Sequence, residues 1–289
     1  MKEVRGSVAV VTGGGGQHGI GRATAARLAQ EGARVVLADV NEAALDATVA
    51  DLRAAGHDVL GVPTDVSDLA AVTALADAAW AHYGQVDIAF LNAGVGGGGS
   101  VLDDDMTDWH RVMGINFYGV LHGVKVFAPR MIAQGTPGHI LATSSGSGVA
   151  GVMYQTPAYS AAKAAVCTLM ECLYAQLRDL GSQLSAHVVL PPLTQTGLAG
   201  SPEFMSHVQK GLQNGGVVTV LAQPAEVAET VVEAIKADRF WAYHDHEADE
   251  RLTGGRFAQD IAWQDDIIGK RAQSLTGRTA PDPYLWGMR

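Results

Sequence analysis

A tyrosine and a lysine four residues apart are the pair in this sequence best suited to moving a proton. Tyr159 and Lys163 stand in the run Tyr-Ser-Ala-Ala-Lys, and this spacing places both side chains on one face of a helix. A free tyrosine has a pKa of about 10, and a neighbouring ammonium lowers that value because it stabilises the phenolate. An exposed pair on an amphipathic helix would show the same spacing, so the interpretation depends on the surrounding residues.

A serine and an asparagine further upstream could complete an acid–base site. Ser145 precedes Tyr159 by fourteen residues, and its hydroxyl could orient a substrate oxygen towards the phenol. The adjacent Ser144 is an alternative for this role. Asn116 interrupts an otherwise apolar helical segment, where a buried amide must be hydrogen-bonded. A water held by Asn116 could relay protons to Lys163.

A glycine-rich segment near the start of the chain predicts a site for a dinucleotide. Residues 12–21 read Thr-Gly-Gly-Gly-Gly-Gln-His-Gly-Ile-Gly and lie between a predicted strand and an alanine-rich helix. Glycines allow a sharp turn and the close approach of a pyrophosphate, whose charge a helix N-terminus stabilises. A flexible loop has a similar composition, but the position between strand and helix favours binding. The expected cofactor contacts in this segment are Thr12, Gly13, Gly15, Gly16, Gly19 and Ile20.

Asp39, at the end of the second predicted strand, indicates which dinucleotide is bound. A carboxylate at this position can accept hydrogen bonds from both ribose hydroxyls of NAD, whereas the 2′-phosphate of NADP would meet a like charge. Val40 follows, where a basic residue could otherwise have compensated. Asp39 could instead cap the next helix, a role that Asn41 could also fill. We therefore expect NAD as the cofactor.

Polar and small residues follow the third and fourth predicted strands, where the adenine ring and its ribose would lie. Asp and Asn are common in turns, so each of these residues is uninformative by itself. The residues expected to contact the cofactor here are Asp65, Val66, Asn92, Ala93 and Gly94.

Short β-branched segments alternate with helical patterns along the chain and would position these residues. The predicted strands are 8–12, 34–39, 58–62, 86–92, 139–143 and 186–190, with a further edge strand at 240–243. The predicted helices are 20–31, 42–55, 68–83, 108–134, 157–180 and 224–237, with Ser67 as a helix N-cap and Pro157 in a first turn. This alternation predicts one α/β domain over residues 1–289, with a parallel sheet covered by helices on both faces.

Two long segments depart from the alternation. Residues 194–217, rich in Gly, Ser and Pro, predict a substrate loop beyond the sixth strand, and residues 244–289 form a polar C-terminal extension. The extension begins with His244-Asp245-His246-Glu247, which could coordinate a cation. A charged turn after an edge strand is the favoured interpretation because nothing around it would order the ligands. No metal is therefore expected.

The composition excludes several classes of partner. With a net charge of −10 over 289 residues, the chain is a poor match for nucleic acid or an anionic membrane surface. It contains neither a signal-peptide pattern nor an apolar stretch long enough to span a membrane. Only Cys167 and Cys172 are present, and their spacing disfavours a disulfide, which fits a reducing cytoplasm.

In order along the chain, these motifs resemble those of the short-chain dehydrogenase/reductase family over about residues 5–243. The resemblance implies a single Rossmann-type doubly wound sheet of about seven strands, a nicotinamide cofactor and a tetrad of Asn116, Ser145, Tyr159 and Lys163. It implies that Tyr159 is the acid/base, that Ser145 steadies the substrate oxygen, and that Lys163 holds the ribose. Asn116 would anchor the relay water. Further cofactor contacts implied are Pro191 and Thr196, with Thr194 as a rival to Thr196.

The sequence departs from the family pattern in its phosphate loop. Five residues, Gly14 to His18, separate the Thr-Gly and Gly-x-Gly parts, where the family usually has three. Leu91 replaces a usual Asn, and Pro192 replaces a usual Gly and removes an amide donor. None of these changes removes a reacting group.

The expected function is the interconversion of a secondary alcohol and a ketone with NAD(H), by a homodimer or homotetramer. The loop insertion and extended tail resemble those of family members acting on bulky aryl or alicyclic alcohols. A nucleotide-binding regulator of the same fold without turnover is the alternative, and the intact tetrad argues against it. A purely structural subunit would leave Asn116 and the Tyr159–Lys163 pair unexplained.

Overall fold

Seven parallel strands run through the centre of the protein in the computed structural model, which describes residues 3–98, 100–102, 105–149, 156–197 and 222–243. The strands are β1 Val8–Thr12, β2 Arg34–Asp39, β3 Val59–Pro63, β4 Ile88–Leu91, β5 Gly138–Thr143, β6 Leu184–Leu190 and β7 Trp241–Tyr243. Their order across the sheet is β3-β2-β1-β4-β5-β6-β7, and every neighbouring pair is parallel. The predicted seven-stranded Rossmann-type sheet is therefore confirmed.

The strand order reverses direction at β1, and this places a crevice at one edge of the sheet. From β1 the chain builds outwards through β2 and β3, then returns to β4 on the other side of β1. Doubly wound sheets bind ligands outside the carboxyl ends of the strands at such a switch point. Thr12, Asp39 and Thr143 are the last residues of their strands and lie at this edge.

Helices cover both faces of the sheet. They are α1 Ile20–Gln30, α2 Glu42–Ala54, α3 Leu69–Tyr83, α4 Thr107–Met113, α5 Gly119–Gln134, α6 Pro157–Asp179 and α7 Pro224–Ala237. Apolar residues of α1, α2 and α7 pack on one face and those of α3, α5 and α6 on the other. Because both faces are covered, the central strands are mostly apolar and buried, as in β1, whose five residues are all buried.

The structure corrects the predicted continuous helix at 108–134. A π-helical turn, Gly114–Tyr118, separates α4 from α5, and Asn116 is its buried residue. The side chain of Asn116 bonds to the backbone of Val95, far away in the sequence. Helical periodicity carries no information about such a contact, and π turns inside helices frequently mark functional sites.

Two smaller predictions at element ends are also wrong. Asp68, and not Ser67, is the N-cap of α3, because its carboxylate accepts from the Ala70 amide at 2.9 Å while the Ser67 hydroxyl donates to Asp65. Strand β4 is shorter than the predicted 86–92. At the two ends of the predicted range, backbone amides bond to side chains, since the Val86 amide donates to Gln134 and the Asn92 amide to Thr12.

Parts of the two long segments lie outside the described residues. These are 198–217 of the predicted substrate loop and the whole of 244–289, including the histidine-rich turn. Within the described part of the chain, no helix is both long and apolar enough to cross a membrane. Cys167 and Cys172 are both free thiols, as expected from their spacing.

Candidate active site

Tyr159 and Lys163 lie in the first two turns of α6, which begins at Pro157 as the sequence predicts. The Lys163 ammonium is 5.6 Å from the centroid of the Tyr159 ring, so the two side chains share one helical face. Lys163 is 3% exposed, and its ammonium donates to the Thr143 carbonyl oxygen at 2.7 Å. The last residue of β5 therefore fixes where the lysine lies.

Burial dominates the protonation behaviour of both groups. It lowers the pKa of Lys163 to about 8, because a charged ammonium is poorly solvated there. Burial also raises the pKa of Tyr159 above its ordinary value, and a hydrogen bond with Ser145 opposes this rise. The lowered tyrosine pKa expected from the sequence is therefore not found in the protein alone. The predicted lowering of the Tyr159 pKa depended on two positive charges, the Lys163 ammonium and an oxidised nicotinamide, and the second is present only when the cofactor is bound.

The structure separates the two adjacent serines. The Ser144 hydroxyl is buried, donates to the Lys163 carbonyl oxygen at 2.7 Å and accepts from the Cys167 thiol at 3.1 Å. Ser145 is half-buried, bonds to Tyr159 and accepts from the hydroxyl of Ser147 at 3.0 Å. Ser144 thus fastens α6 to the end of β5, whereas Ser145 is directed towards the phenol.

Asn116 holds the loop that follows β4. Its Oδ1 accepts from the Val95 amide at 2.8 Å, and its Nδ2 donates to the Val95 carbonyl oxygen at 2.9 Å. A β-carbon built on Gly94 would lie 3.3 Å from the Asn116 Oδ1 and 3.5 Å from the Lys163 Nζ. Asn116 and Lys163 therefore converge on a glycine, whose lack of a side chain leaves room at this point.

Thr12 and Asn92 tie together three strands at the same edge. The Thr12 Oγ1 accepts from the amides of Asn92 and Ala93 at 2.9 and 3.1 Å. The Asn92 side chain donates to the Thr12 carbonyl oxygen at 3.1 Å and accepts from the Thr143 hydroxyl at 3.0 Å. These bonds join the ends of β1, β4 and β5. Thr143, which the sequence analysis did not single out, thus supports both Asn92 and Lys163.

The glycine-rich turn has the form of an anion cradle. Gly13 adopts a φ of 69°, and a β-carbon there would lie 2.8 Å from the Cα of Ala93. The turn can approach β4 this closely only because Gly13 has no side chain. Gly19 is the N-cap of α1, and no side chain caps the first turn of that helix. The amides at this helix start therefore suit a pyrophosphate, which fits a dinucleotide cofactor.

Asp39 reaches the turn from the end of β2. Its Oδ2 accepts from the Gly15 amide at 2.8 Å, and its Oδ1 accepts from the Asn41 amide at 3.0 Å. Asn41, not Asp39, caps α2, because its own side chain accepts from the Ala44 amide. Asp39 is therefore not needed as the cap of α2, and the neighbouring Val40 is 69% exposed.

The remaining predicted cofactor residues have local partners. Asp65 accepts from the amide and hydroxyl of Ser67, and buried Val66 offers its carbonyl oxygen to His122 Nδ1 at 2.9 Å. Buried Thr194 donates to the Pro192 carbonyl oxygen at 2.7 Å. The half-buried Thr196 and Pro191 lie on the same segment after β6.

An ion pair that the sequence analysis missed holds the glycine-rich loop after β4. The Arg111 guanidinium donates to Asp108 and to the Gly96 carbonyl oxygen, and the Gly98 amide donates to the Asp108 carboxylate. A β-carbon on Gly98 would collide with Ala158, directly before Tyr159. The opposite charges three residues apart at the start of α4 were the available signal.

A second group of titratable side chains lies nearer the amino ends of the strands. His139 of β5, His187 of β6 and Asp238 offer ligand atoms within 4.8 Å of one another. The two rings bond at 2.8 Å, and the His187 Nδ1 donates to the Arg239 carbonyl oxygen at 2.6 Å. The two buried histidines therefore have a structural role: they join β5 and β6 to each other and to the turn before β7.

Fold and site define a Rossmann-type dinucleotide-binding protein, and comparison with known proteins gives its family. Residues 7–204 match the short chain dehydrogenase family. The chain belongs to the short-chain dehydrogenase/reductase family, a family of oxidoreductases.

Three similar proteins illustrate the relationship. "Probable oxidoreductase EphD" of Mycobacterium tuberculosis is 34% identical over 234 residues, which are 78% of this chain but only 39% of EphD. The 1-deoxy-11-beta-hydroxypentalenate dehydrogenase of Streptomyces avermitilis is 35% identical over 248 residues, 85% of this chain and 87% of that enzyme. A short chain dehydrogenase/reductase from Burkholderia phymatum, solved in complex with NAD, is 39% identical with a TM-score of 0.79 and coverage of 91% and 97%.

Proposed function

We propose that the protein interconverts a secondary alcohol and a ketone with NAD(H). The observation that carries this proposal is the meeting of Tyr159, Ser145 and Lys163 at the carboxyl edge of the sheet. It combines a phenol with a hydroxyl and an ammonium beside a turn that suits a dinucleotide. The activity itself, the substrate and the partners of the whole protein are part of the proposal.

Each residue of the site has a separate task. Tyr159 takes the hydroxyl proton of the alcohol during oxidation and returns it to the carbonyl oxygen during reduction. Ser145 donates a hydrogen bond to the same oxygen and keeps it near the phenol. Lys163 holds the cofactor ribose and, when charged, lowers the Tyr159 pKa. Asn116 keeps the Val95 backbone in place and anchors the relay water. The bound nicotinamide supplies the acceptor or donor of the hydride.

NAD is the proposed cofactor. Asp39 carries a negative charge where a 2′-phosphate would come, and no basic residue follows it. The NAD complex of the Burkholderia relative supports the same choice. The proposed cofactor contacts closest to the turn and the tetrad are Thr12, Gly13, Gly16, Gly19, Ile20 and Gly94.

We propose a bulky, apolar aryl or alicyclic alcohol as the substrate class. The Streptomyces relative, named as a dehydrogenase of a hydroxypentalenate, supports an alcohol as the oxidised group. The test is a panel of secondary alcohols with NAD or NADP, followed at the nicotinamide absorbance, with Tyr159→Phe as the control. Turnover with NAD that disappears in the variant supports the proposal. Cofactor binding without turnover on any alcohol or ketone would favour a nucleotide-binding regulator instead.

We also propose a homodimer or homotetramer in the cytoplasm. Tyr118 and Ile132, both on the helical segment around α5, are 49% and 39% exposed, which supports an apolar contact with a second copy. The two free thiols support a reducing compartment. A monomeric mass by light scattering at micromolar concentration would rule out the assembly.

A further inference from the structure

Two residues of the lengthened phosphate loop bond to the second strand. The Gly14 amide donates to the Ala38 carbonyl oxygen at 3.1 Å, and the Gly15 amide donates to Asp39 Oδ2 at 2.8 Å. Both glycines are buried. Two amides of the lengthened loop are therefore committed to the end of β2 and are unavailable to a pyrophosphate.

Thr48 of α2 holds the same segment from the other side. Its side chain is wholly buried, and its hydroxyl donates to the Gly15 carbonyl oxygen at 3.2 Å. Gly15 is thus fixed through its amide by Asp39 and through its carbonyl by Thr48. The Thr48 hydroxyl is not needed to cap α2, because Asn41 already does so.

The fixed segment fills the space beside the Asp39 carboxylate. A β-carbon on Gly15 would lie 3.0 Å from the Asp39 Cγ and 3.0 Å from the Leu45 amide nitrogen. A β-carbon this close would require its neighbours to shift by a few tenths of an ångström, so the segment and the Asp39 carboxylate are packed tightly against each other. The ribose next to Asp39 therefore meets both a negative charge and a closely packed backbone.

We infer that Thr48 is a positioning residue for cofactor specificity. By holding Gly15 in place, it disfavours binding of a cofactor that carries a phosphate on the 2′-oxygen of the adenosine ribose. The inference rests on the proposed NAD-binding function and adds a second source of discrimination to it. Asp39 excludes the phosphate by charge, whereas the Thr48–Gly15 contact excludes it by shape. The two sources can be separated, because one variant can remove the charge and another the contact.

The test measures binding without turnover. ADP-ribose and its 2′-phosphate differ only in the group in question, and titration calorimetry gives the ratio of their dissociation constants. Thr48→Val keeps the volume of the side chain but removes the hydroxyl, so Gly15 keeps its bond to Asp39 but loses its second anchor. The ratio should then narrow by about 3- to 10-fold, the effect of one hydrogen bond. Thr48→Ser keeps the hydroxyl and retains the ratio of the unmodified protein.

A matched control is available in α1. Thr24 is also a wholly buried helix threonine, and its Oγ1 has no hydrogen-bond partner within the residues that the structure describes. Thr24→Val should leave the ratio unchanged. Thr48→Ala gives a second test should Thr48→Val fold poorly, because it also removes the hydroxyl and should narrow the ratio in the same direction.

The outcomes distinguish this inference from the proposed function. If the unmodified protein binds both ligands equally, the proposed preference for NAD fails and the inference fails with it. If the protein prefers ADP-ribose and Asp39→Asn narrows the ratio, the preference stands. An unchanged ratio in Thr48→Val and Thr48→Ala would then overturn the inference alone.

Discussion

The Lys163 ammonium lies 5.6 Å from the centre of the Tyr159 ring and is held there by the Thr143 carbonyl oxygen. This relationship places a buried cation beside the phenol, since Lys163 is only 3% exposed. Burial acts on the two groups in opposite directions, lowering the pKa of Lys163 and raising that of Tyr159. The protein therefore keeps a buried lysine at a cost in stability, and the proposed chemistry explains why.

The cost of burying Lys163 can be measured with Lys163→Met. The pKa of Lys163 falls from an ordinary value of 10.5 to about 8, so the unfolded chain binds the proton more tightly. The free energy of unfolding should therefore rise as the pH rises from 8 towards 10.5, and the full penalty should apply below pH 8. Lys163→Met removes a penalty of about 3 kcal/mol and loses a hydrogen bond worth about 1 kcal/mol.

Urea denaturation at pH 7 and at pH 9.5 provides the measurement. We expect the variant to be the more stable protein at pH 7, with a smaller advantage at pH 9.5 and no turnover at either pH. Equal stability at pH 7 together with the same pH dependence would contradict the assigned burial of the lysine.

Tyr159→Phe tests proton transfer while keeping the aromatic ring. Removal of the acid/base group should lower turnover by on the order of 10² or more, whereas cofactor binding should survive. Tyr118→Phe, at a half-exposed position outside the site, is the matched control and should retain turnover. Near-normal turnover in Tyr159→Phe would show that the tetrad is wrongly assigned, and His18 and His122 would then be the candidates.

The pH dependence of alcohol oxidation gives a further test of the same residue. The rate should rise with pH as the phenol ionises, because the phenolate is the base. Burial raises the pKa of Tyr159 in the protein alone, whereas the positive charge of oxidised nicotinamide stabilises the phenolate. The apparent pKa should therefore be lower in the complex with oxidised cofactor than in the enzyme without cofactor. The pH profile of kcat/KM for NAD reports the enzyme without cofactor, and the profile of kcat reports the complex. An identical pKa in both would exclude a contribution of the nicotinamide charge.

The two adjacent serines should behave differently on replacement by alanine. Ser145→Ala should reduce turnover because Ser145 bonds to Tyr159. Ser144→Ala removes a bond to the Lys163 carbonyl oxygen and should cost about 1 kcal/mol of stability with a mild effect on turnover. Rates at saturating cofactor and urea midpoints for both variants provide the comparison. A larger loss of turnover in Ser144→Ala would reverse the assignment.

Local signals in the sequence were sufficient for the elements whose ends they determine. Proline in a first turn indicates the start of α6 at Pro157, where the structure has it, and the predicted bounds 224–237 are those of α7. The β-branched segments predicted the strands correctly, because the strands of a parallel sheet are buried on both faces and are therefore rich in such residues. The sequence spacing also placed Tyr159 and Lys163 on one helical face, since that contact depends only on the helix.

Contacts between distant residues could not be predicted in the same way. The π turn at Asn116 follows from its bonds to Val95, and the location of Gly15 follows from Asp39 and Thr48. In each case a backbone group satisfies a side chain that lies twenty or more residues away. The choice between Ser144 and Ser145 likewise depended on which hydroxyl bonds to the Tyr159 side chain and which to the Lys163 backbone.

The buried His187 should make the protein sensitive to mild acid. Burial lowers its pKa below the ordinary value of 6.5, so as the pH falls the unfolded chain takes up a proton before the folded protein does. The free energy of unfolding should then fall below pH 6.5 by up to about 1.4 kcal/mol per pH unit. His187→Gln can still donate to the Arg239 carbonyl oxygen and accept from His139, and it should reduce this slope between pH 6.5 and 5. His82→Gln, at an exposed position, serves as the control in urea denaturation. An undiminished slope in His187→Gln would assign the acid sensitivity to other groups.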